Sequence, residues 1–431
     1  MRVPLSWLRE FVPVAEDASA EDLMATLVKV GLEEEDVHRP SDELSGPIVV
    51  GQVLSMEPET HSNGKTVNWC QVRVVPEGQE QTLTGKGIEP SGVQGIICGA
   101  HNFVPGDKVV VTLPGAVLPG GFEITARKTY GHKSAGMIAS TRELGIGDDH
   151  GGILVLSTLG LDPELGTDAM ELLGLYDQAA EVNVTPDRGY AFSLRGIARE
   201  WCHATGSSFE DFVLAYGERA PEANDAGHPV VLRDDAPIHG NPGCVRFVMR
   251  EVSGVKADAP VPTWMSSRLR LAGVRSLSLP VDISNYVMLE TGQPLHFYDA
   301  DKVQGEIVVR RAAAGEKLVT LDGVERTLHP EDIVIADDSG VIGLAGVMGG
   351  ASTEVTDSTT RILVESARFD EVSVARTARR HKLISESSKR FERGVDPQIQ
   401  AAAAQRAVEL LVELAGAQVE PGVTDVSLGY E

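Results

Sequence analysis

Between residues 47 and 156 the chain breaks into short β-branched runs cut by turn residues, and this stretch restricts the fold more than any other. The runs are "PIVVGQVLSM", "VNWCQVRVV", "QGIICGA", "DKVVVTL" and "FEITARKTYG", separated by Gly, Pro, Asn and Asp. Five strands this short leave unpaired edges in an open sheet, and curling into a small barrel removes them. The connection "LPGAVLPGG" is tight and rich in Pro and Gly. A small closed barrel is therefore expected within 47–156.

The flanking stretches have a different period. Residues 1–40 read as a short strand followed by a helix. Ser19 caps "AEDLMATLVKVG" with Asp22 three residues on, Leu23, Leu27 and Val30 share a face, and Gly31 ends it. Residues 157–205 turn helical again. In "EVNVTPDRGYAFSLRGIAREWCHATG", Thr185 or Asp187 is placed to cap a helix carrying Leu194, Ile197, Ala198 and Trp201. A linker rich in Pro, Asp and Ala follows at roughly 218–242. Beyond it, "RFVMREV", "IVVRRA", "DIVIAD" and "RILVES" alternate with short helical stretches, the pattern of a mixed α+β domain. "DPQIQAAAAQRAVELLVELAG" reads as a helix with Asp396 as cap and Pro397 at its first position. The final "GVTDVSLGYE" reads as the start of another element, and no repeat at solenoid spacing is evident.

At 431 residues the chain is long enough for two to four domains. No apolar run approaches the roughly 18 residues of a membrane helix, and "MRVPLSWLREFVPV" lacks the features of a secretory signal. Cys70, Cys98, Cys202 and Cys244 form no CxxC pair, which favours reduced thiols in a cytoplasmic protein and gives no reason to expect a metal. The net charge of −25 by itself argues against nucleic acid. The charge is uneven, however: residues 374–393, "VARTARRHKLISESSKRFER", hold seven Lys or Arg against two Glu.

Several stretches taken together resemble the β subunit of bacterial phenylalanyl-tRNA synthetase. They are "LSWLREFV" (5–12), "IICGAHNFVPGDKVVVTLPGAVLPGGFEI" (96–124) and "SAGMIASTRELGIG" (134–147). "NVTPDRGYAFSLRGIARE" (183–200), "VDISNYVMLETGQPLHFYD" (281–299), "LAGVMGG" (344–350) and "SSKRFERGVDP" (387–397) continue the series in unbroken order. The resemblance implies a multidomain α+β chain. Residues 1–40 with 157–205 form a small α/β module, interrupted by an oligonucleotide-binding barrel for tRNA at 42–154. An editing domain occupies 212–395 and hydrolyses tyrosine wrongly attached to the phenylalanine tRNA. Residues 396–431 open a further domain, because the family's β subunit continues well past this point. The implied partners are the α subunit, in an α2β2 heterotetramer, and tRNA(Phe). ATP and Mg2+ are implied for the complete synthetase, whose synthetic site belongs to the α subunit, and no cofactor is implied within this segment.

The resemblance also assigns residues. Tyrosine exceeds phenylalanine by one hydroxyl, which an apolar pocket rejects only modestly, whereas a site that hydrogen-bonds the hydroxyl discriminates well. Glu365 stands where the family has an editing-site glutamate. Read alone it is equally well a strand-end carboxylate facing water. His296 aligns with the family's editing-site histidine, able to assist a water or the ester carbonyl. Read alone it is a structural ring on a turn. Asn285 would seat the amino acid or terminal ribose, and Gly346, Gly349 and Gly350 would let substrate approach backbone amides or simply form a hairpin turn. Ser385 and Ser387 stand where the family often has Thr and Ala. Arg376, Arg379, Arg380, Lys389 and Arg390 would contact the acceptor end of tRNA, or form a solvated helix face paired with Glu386 and Glu392. Two other readings compete. One is a tRNA-binding scaffold with a decayed pocket, which only the serine pair favours. The other is a free-standing editing hydrolase ending near residue 431, against which the chain end and the interrupted first module both count.

Overall fold

The computed structural model describes residues 1–149 and 151–429. They form two compact units: Met1–Asp36, Ala180–Val261 and the chain from Ser276 on make one, Val37–Ala179 and Pro262–Arg275 the other. No helix among the described residues is long and apolar enough to cross a membrane.

In the second unit Ile48–Thr60 pairs antiparallel with Thr66–Arg73 on one side and Lys108–Thr112 on the other, with Val93–Cys98 and Met137–Ile138 added outside them. Segment 134–138 reaches both edges. Ile138 pairs with Val111, while the Ala135 N–H donates to the Gly95 carbonyl at 2.8 Å. The unbroken apolar runs follow from burial on both faces, since successive residues point to opposite sides. Ile48, Val50 and Val110 pack with Leu154, Leu156 and Met170, while Val49, Val72, Val109 and Val111 pack with Ile96 and Phe103. A bulge between Val53 and Ser55 bends the long strand. Residues 157–179, grouped above with the first forty, instead pack on this sheet through Met170, Leu173 and Leu175.

In the first unit the expected helix spans Ala20–Val28, and Ser19 and Asp22 form the full capping box. Arg2–Pro4, Ala179–Val182 and Glu34–His38 make a three-stranded sheet. Trp7 stacks on Tyr286 at 4.0 Å and its Nε1 donates to Glu290 (3.3 Å), which also accepts from Tyr216 (2.8 Å) and Arg406 (3.0 Å). These bonds satisfy a carboxylate that is fully out of solvent. They also bind the first residues into the larger unit rather than into a module of their own.

Two helix starts differ from expectation. The helix Leu194–Thr205 is capped by Ser193, whose Oγ accepts from the Gly196 N–H at 3.0 Å, not by Thr185 or Asp187. The chain folds back here: a Cβ on Gly196 would lie 2.0 Å from the Tyr190 carbonyl oxygen, so a separate 3-10 turn, Pro186–Ala191, precedes the helix. Likewise the last helix begins at Gln400, not after Asp396. Asp396 instead pairs with Arg195 (2.7 Å) and accepts from the Gln398 N–H (2.9 Å).

The rest of this unit is two sheets and their helices. One is antiparallel in the order Leu295–Asp299, Ile362–Phe369, Cys244–Ser253, Gln418–Ser427. The segment 418–427, expected to open a further domain, is thus an edge strand of this sheet. The second sheet runs Val230–Leu232, Ile307–Arg311, Ile333–Asp337, Gly340–Leu344, Met348–Gly349. Phe247, Met249, Leu363 and Phe369 of the first sheet share a core with Val309, Val334, Ile342 and Leu344 of the second. Helix Gln400–Ala415 packs against the two central strands of the first sheet. Strand 362–369 is buried at every position, as a central strand with both faces covered must be.

Candidate functional site

Where the first sheet meets the tip of the second, a cavity of about 260 Å³ opens beside helix Leu279–Thr291. His296 and Glu365 lie directly opposite each other across the strand pair 295–299 and 362–369, so both side chains project to the same face. Tyr298, two residues on, shares that face and donates its hydroxyl hydrogen bond to Glu365 Oε2. All three line the cavity. His296 therefore sits within a strand, not on a turn, and Glu365 is mid-strand, not at an end.

Glu365 is only 6% exposed and Tyr298 only 1%. Burial raises the Glu365 carboxyl to about 7, against the opposing effect of the Tyr298 hydrogen bond. Burial and the neighbouring Glu365 charge push the Tyr298 phenol well up, so it remains a donor. His296 is partly exposed as a residue, but its Nε2 is out of solvent and has no hydrogen-bond partner among the described residues. Burial lowers the imidazole to about 4, leaving it neutral near pH 7. Its ring meets Tyr298 edge-on at 4.5 Å. A buried imidazole nitrogen without a protein partner, facing a cavity, is costly unless something enters to pair with it.

The glycines serve packing more than open space. A Cβ on Gly349 would come within 2.3 Å of the His296 ring, so this glycine is what lets the imidazole lie where it does. A Cβ on Gly350 would lie 2.4 Å from the Ile342 carbonyl oxygen, and Gly346 has φ +71° beside Phe391 and Val374. Gly346 and Gly349 line the cavity. Asn285 lines it too, from the helix side. Ser385 caps helix Glu386–Phe391 and donates to the Val347 carbonyl (2.9 Å), while Ser387 donates to the Gly346 carbonyl (3.0 Å). The serine pair ties this helix to the 346–347 turn, and only Ser387 reaches the cavity wall.

The basic stretch is not one solvated face. Arg376 pairs with Glu331 (2.8 Å), and Arg380 with Glu331 (2.9 Å) and Asp332. Arg390 is 2% exposed, bonded to the Phe192 carbonyl (3.0 Å) and Glu386 (2.7 Å). Lys389 lies over the Phe192 ring at 4.4 Å. Of the four arginines and one lysine expected to meet tRNA, Arg379 alone is exposed. The others are bound internally because Glu331, Asp332, Phe192 and Glu386 reach them first. Sequence reasoning singled out no role for Tyr298, although the i, i+2 spacing from His296 in a strand places both on one face.

The two perturbed groups predict opposing pH dependences of stability. From pH 4.5 to about 7 folded Glu365 keeps a proton that the unfolded chain releases, so stability falls as pH rises. From about 4 to 6.5 the unfolded chain holds the extra proton at His296, so stability rises with pH. Glu365→Gln should expose the histidine's rise, and His296→Asn the glutamate's fall, each by about 2 to 3 kcal/mol. Urea unfolding of wild type and both variants over this range reads the slopes. Parallel profiles for all three would contradict the assignment.

The model of the B3/4 domain matches residues 243–416, the region that holds His296 and Glu365. The phenylalanine–tRNA ligase β subunit of Leifsonia xyli subsp. xyli is 61% identical over 421 residues, covering 96% of this chain and 49% of its own. Those of Streptomyces avermitilis and Thermobifida fusca are 55% and 53% identical, each covering 99% of this chain and 49% of their own. The chain spans about half the length of the curated relatives it matches. A solved N-terminal fragment of the phenylalanyl-tRNA synthetase β subunit from Pyrococcus horikoshii aligns over 52% of this chain and 71% of its own, at 15% identity and a TM-score of 0.26, too slight a similarity to bear on the fold. With matches of such identity over almost its whole length, the chain belongs to the phenylalanine–tRNA ligase β-subunit family.

Proposed function

We propose that the cavity around His296 and Glu365 hydrolyses tyrosine wrongly esterified to tRNA(Phe), as the editing site of a phenylalanine–tRNA ligase β subunit. The observation that carries this reading is the pairing on one wall of a buried carboxyl, already bonded to a phenol, with an unpartnered neutral imidazole. Glu365 would receive the substrate phenol, and phenylalanine would leave that buried group unpaired. His296 would accept a proton from the water that attacks the ester carbonyl. The ester C–O bond then breaks, the ribose oxygen takes a proton, and free tyrosine leaves. Asn285, from its place on the helix wall, would orient the amino acid or the ribose.

In the same reading the 37–179 unit binds tRNA, an α subunit joined in an α2β2 assembly attaches phenylalanine in the cytoplasm, and ATP and Mg2+ serve that complete ligase. None of the residues described above is assigned to ATP or Mg2+. Contact with the acceptor end would rest on Arg379 and the exposed Lys382 more than on the other basic residues of 374–393.

The test is deacylation of tyrosyl- and phenylalanyl-tRNA(Phe) by the chain. Wild type should release tyrosine much faster than phenylalanine. Glu365→Ala should narrow the ratio by about tenfold or more, since one buried hydrogen bond is removed. An unchanged ratio would remove Glu365 from recognition, and no deacylation by wild type would sink the reading.

A further inference from the structure

The Glu365 carboxyl has two oxygens in different situations. Oε2 accepts from Tyr298, whereas Oε1 takes no hydrogen bond from the described residues. Tyr298 itself is held in place: its ring lies in the core with Phe247, Met249 and Leu363, and the His296 ring packs edge-on against it. Its hydroxyl has no other hydrogen-bond partner among the described residues, so the core fixes the phenol and the phenol fixes the carboxyl.

We infer that Tyr298 is a positioning residue for substrate selection, occupying Oε2 of Glu365 so that Oε1 alone is presented to an incoming phenol. This rests on the hydrolytic reading above and adds a residue to it. A carboxyl without such an anchor can rotate, and can offer a proton or a lone pair to water as readily as to substrate. Anchored at one oxygen, it meets the hydroxyl of a tyrosyl group in one geometry. The internal phenol therefore sets the direction along which a second phenol is read.

Other groups also face Glu365: His296 on the same neighbouring strand, and Cys244 on the strand beyond. Asp337 acts on Tyr298 from the opposing sheet, and Glu354 lies exposed at the cavity rim. A hydrogen bond donated to a carboxylate favours its charged form, so removing the Tyr298 hydroxyl should move the Glu365 titration upward from about 7.

The experiment uses the full chain, wild type and Tyr298→Phe, with two independent readouts. Carbon-13 NMR of glutamate-labelled protein, with Glu365→Gln to identify the signal, follows the Glu365 titration. Deacylation of tyrosyl- and phenylalanyl-tRNA(Phe), with binding of tyrosine amide against phenylalanine amide, follows selectivity. The expected result is an upward titration shift together with a fall of about tenfold in tyrosine preference. An unmoved titration overturns the inference, and so does a moved titration with unchanged preference. Should wild type fail to deacylate, the hydrolytic reading fails alone, and the titration and amide binding still decide the role of Tyr298. Circular dichroism of Tyr298→Phe, which keeps the ring, confirms that the comparison is between folded proteins.

Discussion

Replacing His296 with alanine should slow the release of tyrosine from tyrosyl-tRNA(Phe) by about 10²-fold while leaving the chain folded. The magnitude is that of a positioned proton-transfer group, and three features make His296 such a group. Its Nε2 is buried without a partner, burial holds it neutral, and Gly349 leaves the notch in which the ring lies. A histidine that merely filled this notch would have no need of an unpaired nitrogen facing the cavity. The folded state should survive because the residue is only partly buried and its ring makes no hydrogen bond to another side chain among the described residues. The low imidazole pKa adds a second expectation. A step needing neutral His296 should not decline as pH falls through 6.5, where an ordinary histidine gains its proton, but only on approach to about 4. Deacylation rates across pH, with thermal melts of wild type and variant, measure both. A variant as fast as wild type would return His296 to a packing role.

What could be read in advance divides by the range of the interactions. The capping box of Ser19 and Asp22 was legible because its partners lie three residues apart, and so were the apolar strands between Cys244 and Phe369. Ser193 displaced Thr185 as a cap because Gly196 packs on the Tyr190 backbone, a reversal that no propensity encodes. The pairing of His296 with Glu365 depends on strand register across 69 residues of chain, and only the resemblance brought the two together beforehand. The serines that raised the possibility of a decayed pocket turn out to tether a helix to the 346–347 turn. The basic stretch misled for the same reason of range: its acidic partners Glu331 and Asp332 come from a loop some fifty positions earlier.

That pairing carries the second large effect. Asp332→Ala should destabilise the chain by about 3 to 5 kcal/mol, the cost of removing one member of a buried charged cluster. Asp332 is fully out of solvent. It accepts hydrogen bonds from the His329 N–H (2.9 Å), Thr377 (2.9 Å), His381 Nε2 (2.7 Å) and Arg380. Burial pushes its carboxyl upward, yet the His381 bond and the other donors outweigh that and hold it below the usual range. Such a group contributes stability above pH 3.8 that is lost as acid protonates it. Alanine would remove every acceptor at once and leave the guanidinium of Arg380 and the Thr377 hydroxyl without their buried partner. Helix Glu371–His381, which supplies three of the four donors, would lose its hold on the loop before strand 333–337. Reversing the charge of Arg380 to probe RNA contact would break the same cluster, so any loss of RNA binding would report unfolding as readily as lost contact. Arg379→Glu, at an exposed position, separates the two. Urea midpoints followed by circular dichroism at pH 7 measure the Asp332→Ala effect, and a loss below about 1 kcal/mol would mean that the cluster's desolvation cost cancels nearly all that its hydrogen bonds contribute.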